Sequence, residues 1–223
     1  MFITCRRTYI DKFLFNTIPF MKGKVLDIGG KKIGKRGDFI PPEIVELWDY
    51  VNTEESTKPD YCCDALNIPM AKEYYDTVLM CELLEHVENP FDVLKEATRV
   101  LKPGGILIIT IPFLIAYHPD PKDFQRYSHE KLNLILKNLD FDQINIIQQG
   151  SILSVILDLF YTVLCRSKKR GSILNNLGFY FQRKFGPYAI KLDKRLSEYS
   201  QYINTGYGIT AVKKLNFQSN KIN

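Results

Sequence analysis

The apolar positions fall into short runs that alternate with helix-spaced ones. Lys24-Val25-Leu26-Asp27-Ile28-Gly29-Gly30 is an apolar run closed by glycines, which predicts a buried strand entering a tight loop. Ile44 to Trp48, ending in Asp49, predicts a second strand. Beyond a polar linker containing Pro59, Tyr75 to Met80 predicts a third, and Gly105 to Ile111 a fourth. Helical spacing sets in where Phe91, Leu94, Ala97, Val100 and Leu101 share one face behind Asn89-Pro90, and Pro103-Gly104-Gly105 stops it. Tyr9, Ile10, Phe13, Leu14 and Phe15 predict a short helix within residues 6–20. Ser128 has the character of an N-cap for a helix carrying Leu132, Ile135, Leu136 and Leu139. Phe141 to Gln149 and the alternating Tyr207 to Lys213 predict two further strands.

Strands alternating with helices at this spacing argue for an α/β fold with a parallel sheet and helices on both faces. A single domain over 1–223 is expected, with an N-terminal helix at 1–21, a binding core at 22–150, a helical insertion at 151–204, a last strand at 205–214 and a tail at 215–223. Composition agrees: 223 residues, 45% hydrophobic and 25% charged, exclude a disordered tail, a collagen-like repeat and a small disulfide scaffold. The five cysteines are odd in number, include the adjacent Cys62 and Cys63, and show no CxxC spacing, so neither a disulfide framework nor a metal site is expected. Arg6 and Arg7 precede an apolar stretch broken by Asp11 and Lys12, so a signal peptide is not expected and a reducing cytoplasm is the default location.

Charge sharpens the picture only when it is split by position. The net charge is +5, but twelve bases face three acids from Ser151 onward, which makes that part +9 and residues 1–150 −4. Ile152 to Cys165 is almost wholly apolar, broken only by Ser154, Asp158 and Thr162, and Arg166-Ser167-Lys168-Lys169-Arg170 follows at once. About 20 apolar residues are needed to span a bilayer, so this run is too short to cross. Two readings stay open for 151–170: peripheral contact with an anionic membrane surface, and a packed helix that covers the sheet or closes a homodimer.

In a doubly wound sheet, ligands sit beyond the carboxyl ends of the strands, where backbone N–H groups and helix N-termini are free. Three such ends carry suitable residues. They are Asp27-Ile28-Gly29-Gly30; Asp49, twenty residues after Gly29 and so at the spacing of a ribose-binding acid; and the acidic turn Cys81-Glu82-Leu83-Leu84-Glu85-His86-Val87.

VLDIGG at 25–30, Asp49, CDALNIP at 63–69, YDTVLMCELLEHV at 75–87 and RVLKPGGILIITIP at 99–112, in this order, resemble a class I S-adenosylmethionine-dependent methyltransferase. The resemblance implies a Rossmann-like, mostly parallel seven-stranded sheet with an antiparallel last strand and the helical insertion before it. It implies S-adenosylmethionine as cofactor, with Asp27, Gly29 and Gly30 on the methionyl side, Asp49 on the ribose, Asp64 and Ala65 on the adenine, and Cys81 and Glu82 beside the sulfonium. Lys31 stands where the family usually has a second glycine, so a noncatalytic scaffold that kept the fold is the rival reading.

Residues 112–128 form a long segment at the expected pocket mouth. His118 suits a general base near neutral pH, with Asp120 or Asp123 to orient it. Arg126 and Tyr127 suit an anionic or sugar-like acceptor, with an ion pair the alternative for Arg126. The pattern H-x-D-P-x-D-x-x-R-Y-S resembles a segment in methyltransferases of cell-surface polysaccharide biosynthesis, which implies a glycan or glycolipid hydroxyl as acceptor, met at the inner membrane face. A nucleic-acid acceptor is disfavoured, because the Asn/Asp-Pro-Pro-Tyr/Phe turn of base-amino methylation is absent after the third predicted strand.

Overall fold

The computed structural model describes residues 4–34, 37–119, 121–165, 173–196 and 202–215. Helix α1 (Cys5–Thr17) precedes β1 (Lys24–Ile28), β2 (Leu47–Asn52), β3 (Tyr61–Cys62) and β4 (Tyr75–Cys81). Then follow α2 (Pro90–Val100), β5 (Leu101–Pro112), α3 (His129–Asn138), β6 (Phe141–Gln149), the pair α4 (Ile152–Cys165) and α5 (Ile173–Leu196), and β7 (Gly206–Lys213). The seven strands form one sheet in the order β3-β2-β1-β4-β5-β7-β6. Pairing is parallel from β3 to β5, while β7 runs antiparallel to both β5 and β6. The expected α/β Rossmann-like sheet with an antiparallel last strand is therefore observed.

The central strands are covered on both faces, which is why they read as unbroken apolar runs rather than alternating ones. Val25, Leu26, Ile28, Val78, Met80, Leu107 and Ile108 are fully buried. On one side they pack with α2 and α3 through Val93, Leu94, Ala97, Leu132 and Leu136; on the other, Leu79 and Ile108 meet Ile10, Phe13 and Leu14 of α1. Ser128 caps α3 as expected, its side chain accepting from the Lys131 N–H.

Two sequence expectations need correcting. β2 does not end at Asp49; Tyr50 and Val51 continue to pair with Asp27 and Ile28, and Ile44 lies outside the strand, exposed. Phe91 is exposed on α2, and Val93 takes the core position instead.

The α4–α5 pair is built the other way out from the sheet. Its buried residues are Ser154, Val155 and Asp158 on α4, and Asn175, Gly178, Gln182, Gly186, Ala189 and Asp193 on α5. Ile156, Phe160, Val163, Ile173, Leu174 and Tyr188 are exposed. The helices approach closely at Gly178, where a Cβ would lie 2.7 Å from the Cys165 sulfur. Two carboxylates anchor the pair. Asp158 accepts the N–H groups of Cys5 (2.9 Å) and Arg6 (2.8 Å) at the positive end of α1, and Gln182 donates to it. Asp193 accepts from the Ser151 N–H and hydroxyl, the Ser154 hydroxyl and the Tyr9 phenol.

Candidate active site

The carboxyl ends of β1, β2 and β4 open into a cleft of about 820 Å³. Its floor is the loop after β1. Gly29 takes φ +81°, a backbone conformation that suits glycine, and its N–H donates to the Val51 carbonyl at 2.8 Å. A Cβ on Gly30 would lie 2.3 Å from the Asp27 carboxyl carbon, so only glycine lets the loop fold onto that side chain. The Asn52 amide, at the end of β2, donates to the carbonyls of Gly29 and Gly30 and pins both in place. Lys31 reaches across the loop to Glu54, 3.2 Å away. The backbone cradle is thus complete without a second glycine at position 31.

Asp27, Gly29, Gly30, Asp64, Ala65, Cys81 and Glu82 all line this cleft, together with Asn52 and Glu54. Asp49 does not. It sits within β2 opposite Leu26, is buried, and accepts the Tyr75 phenol at 2.8 Å. Residue spacing placed an acid near the strand's end, but β2 runs three residues further, and the carboxylate that reaches the cleft from that end is Glu54.

Glu82 turns the chain at the end of β4 with φ +49° and is gripped by Arg6 from α1, at 2.6 and 3.3 Å. Burial works to raise its carboxyl, and the Arg6 guanidinium outweighs burial and holds it below the usual range. The Cys81 thiol is pushed up by burial, with the Asp27 charge adding, so it stays protonated. Arg7, Asp11 and Leu14 bring α1 to the cleft wall.

The 118–128 segment is fastened onto the acidic turn. The Phe124 N–H donates to the Glu85 carbonyl, the Gln125 amide to the Leu84 and Val87 carbonyls, and the His86 Nδ1 to the Lys122 carbonyl. His118 stacks on His86, with ring centroids 5.1 Å apart, and burial and its histidine neighbour lower its pKa. Its N–H donates to Asp123, which Arg126 grips with two guanidinium nitrogens. Arg126 is therefore committed to an ion pair and does not present a free fork to an acceptor. Its guanidinium holds the Asp123 carboxyl at about 2. Tyr127 belongs to the core against the sheet, 8% exposed, which removes it from the acceptor-binding set. Asp120 lies outside the described residues.

A methyltransferase-domain family profile matches residues 40–109. The ubiquinone/menaquinone biosynthesis C-methyltransferase UbiE of Neisseria meningitidis serogroup C is 31% identical over 148 residues, 57% of this chain and 60% of that protein. The chain is thus similar to the class I S-adenosylmethionine-dependent methyltransferases in sequence over this region and in the order of its sheet. It spans about three fifths of the length of the curated relatives it matches first. Among solved structures, the family fold is shared with a SAM-dependent methyltransferase from Archaeoglobus fulgidus, at TM-score 0.56 and 18% identity over 93% of this chain and 94% of that one. It is also shared with phosphoethanolamine N-methyltransferase 2 of Haemonchus contortus in complex with S-adenosyl-L-methionine, at TM-score 0.55 and 16% identity over 93% and 52%. The expected polysaccharide setting is not supported, since the relatives bear quinone-biosynthesis names.

The family's cofactor is S-adenosylmethionine, and the residues present suit it. Gly29 and Gly30 let the loop pack against Leu83 and Asp27 at the floor of the cleft, and Asp27, Glu54, Asp64 and Glu82 line it with acidic groups suited to a cationic ligand. The sequence reading missed Asn52, Glu54 and Arg6. For Glu54 the signal was available, because Tyr50-Val51 prolongs the apolar run of β2. For Arg6, pairing across 76 residues, there was none.

Proposed function

We propose that the chain methylates a small-molecule acceptor of quinone type, using S-adenosylmethionine held at the ends of β1, β2 and β4. The observation that carries this reading is the cleft of about 820 Å³ at the ends of β1, β2 and β4, floored by the Gly29-Gly30 loop and lined by Asp27, Glu54, Asp64 and Glu82. The cofactor brings a methyl group activated by a sulfonium charge. What remains for the protein is to orient the two reactants and exclude water. Asp27 and the glycine loop take the methionyl end, Glu54 the ribose hydroxyls, and Asp64 with Ala65 the adenine. Glu82, fixed by Arg6, faces the reacting end, and His118 stands on the acceptor side. The acceptor class rests on the relatives, whose printed activity is carbon methylation in ubiquinone/menaquinone biosynthesis.

A lipid-borne acceptor also accounts for the α4–α5 pair. α1 lines the cleft with Arg7, Asp11 and Leu14 and meets Asp158 of α4 with its N-terminus, so it links the pair to the site. Phe160, Val163 and Leu177 would enter the lipid interface, and the bases that follow α4 in the sequence would meet anionic headgroups. Among the described residues no helix is long and apolar enough to cross a membrane.

Calorimetric titration of the full chain with S-adenosylmethionine tests the core of this reading. Glu54→Ala and Gly30→Val should weaken binding at least tenfold, and Asp49→Asn should leave it unchanged. Absence of binding to the unmodified chain overturns the proposal. Transfer of labelled methyl to sugar hydroxyls, with none to a short-tailed quinol, overturns the acceptor class. Flotation on anionic vesicles tests the surface contact: retention at low salt supports it, whereas a stable dimer that ignores vesicles assigns the apolar face to a second copy.

A further inference from the structure

Glu85 is fully buried, and neither oxygen of its carboxyl is hydrogen-bonded among the described residues. A buried carboxyl left this way is costly unless something positive, or a proton, meets it. His86 faces it, with Nε2 3.6 Å from Oε1. The Nδ1 of the same ring donates to the Lys122 carbonyl, which can only accept, so Nε2 is the ring atom left to face the carboxyl. A buried carboxyl oxygen and an imidazole nitrogen therefore face each other with neither committed to another partner among the described residues. A backbone carbonyl fixing the far nitrogen is the arrangement that orients metal-binding imidazoles. His118 supplies a third donor, and one ligand atom from each of Glu85, His86 and His118 lies within 4.8 Å of the others.

We propose that Glu85, His86 and His118 form a site for a divalent first-row transition metal at the acceptor wall of the cleft. Two nitrogens and one carboxylate oxygen suit zinc, cobalt(II) or manganese(II), and such three-ligand sites leave positions open to water or substrate. With bonds of about 2.0–2.1 Å, tetrahedral ligand atoms sit roughly 3.4 Å apart. Glu85 and His86 are already near that separation. His118, the most exposed of the three, closes the rest by a shift of about an ångström. The neighbouring cations do not oppose a metal, because Arg6 is paired with Glu82 and Arg126 with Asp123. The segments bearing the ligands are tied together by the Phe124 and Gln125 hydrogen bonds, so they are neighbours before any ion arrives. Since His86 lines the cleft, the open positions are placed to take an oxygen of the acceptor, a role that rests on the methyl-transfer reading; metal binding itself does not.

The test is titration of the metal-stripped full chain with Co²⁺ and Zn²⁺, with S-adenosylmethionine affinity measured alongside in the absence of metal. One equivalent should bind, with visible cobalt bands typical of a low-coordinate nitrogen/oxygen site and no thiolate charge transfer. His118→Ala should weaken binding at least tenfold, and its exposure makes loss of folding no explanation. Glu85→Gln, which leaves the buried volume unchanged, should do the same. Thiolate bands, undiminished binding in His118→Ala, or no stoichiometric binding overturns the site. Cofactor affinity that survives any of these results leaves the methyl-transfer reading standing.

Discussion

The sheet and the α4–α5 pair solve the same problem with opposite chemistry. In β1, β4 and β5 the apolar side chains turn inward on both faces, and the polar groups are left at strand ends, where they line the cleft. In α4 and α5 the inward stripe is mostly polar, with Ser154, Asp158, Asn175, Gln182 and Asp193 beside Val155 and Ala189, and most of the large apolar side chains face out. The sheet is held by dispersion and exclusion of water; the pair is held to it by directed hydrogen bonds onto two carboxylates. A face of Phe160, Val163, Ile173 and Tyr188 is left to meet something else. The lesson is that an apolar run announces a surface to be covered without saying what covers it.

This contrast can be broken by moving polarity between the two regions. The largest effect should come from Ile109→Asn in the middle of β5, which buries an unpaired amide and should remove more than about 4 kcal/mol in urea unfolding. Next is the reverse experiment, Asp193→Ala. It strands four buried or half-buried donors, and about 2–4 kcal/mol should be lost, with part of it restored by Asp193→Asn. If polar removal is harmless there, the pair is held by apolar contacts and the contrast fails.

The rim of the sheet supplies a smaller, pH-dependent comparison. Arg99 holds the Glu96 carboxyl below its ordinary 4.5 and clasps the Ile68 and Met70 carbonyls. Because the folded pKa lies below the unfolded one, the stabilisation is present above about pH 4.5 and fades as pH falls through the folded value. The pair is partly exposed, so Glu96→Gln should cost under about 1 kcal/mol at pH 7, and the difference from the unmodified chain should vanish in acid. Smallest of all is Val163→Ser, 73% exposed, which should change stability by less than about 0.5 kcal/mol while reducing vesicle retention. A loss of stability there would mean the face is already covered.

The cofactor end was legible because its requirements are local. A glycine at positive φ after a buried strand, and a cradle that excludes a Cβ, leave their mark within six residues, from Val25 to Gly30. Asp49 shows the limit of that legibility. Its spacing from Gly29 suggested a ribose contact, but register is a property of two strands, and pairing of Tyr50 with Asp27 and Val51 with Ile28 carries β2 past it. Tyr127 and Arg126 meet the same limit, since the core that Tyr127 fills and the carboxylate that Arg126 pairs with are set only when the segment docks.

The amino-acid order alone determined the alternation of strands and helices, the glycine loop and the split of charge between a mildly acidic body and a basic last third, because each depends on neighbours a few residues apart. Only the tertiary structure decided that Glu54 rather than Asp49 reaches the cleft, that Arg6 holds Glu82, and that Glu85, His86 and His118 converge. It also decided which side of α4 is buried. A helix's periodicity fixes which residues share a face, but burial is a relation to the partner, and here the partner offered Cys5 and Arg6 N–H groups that Asp158 satisfies.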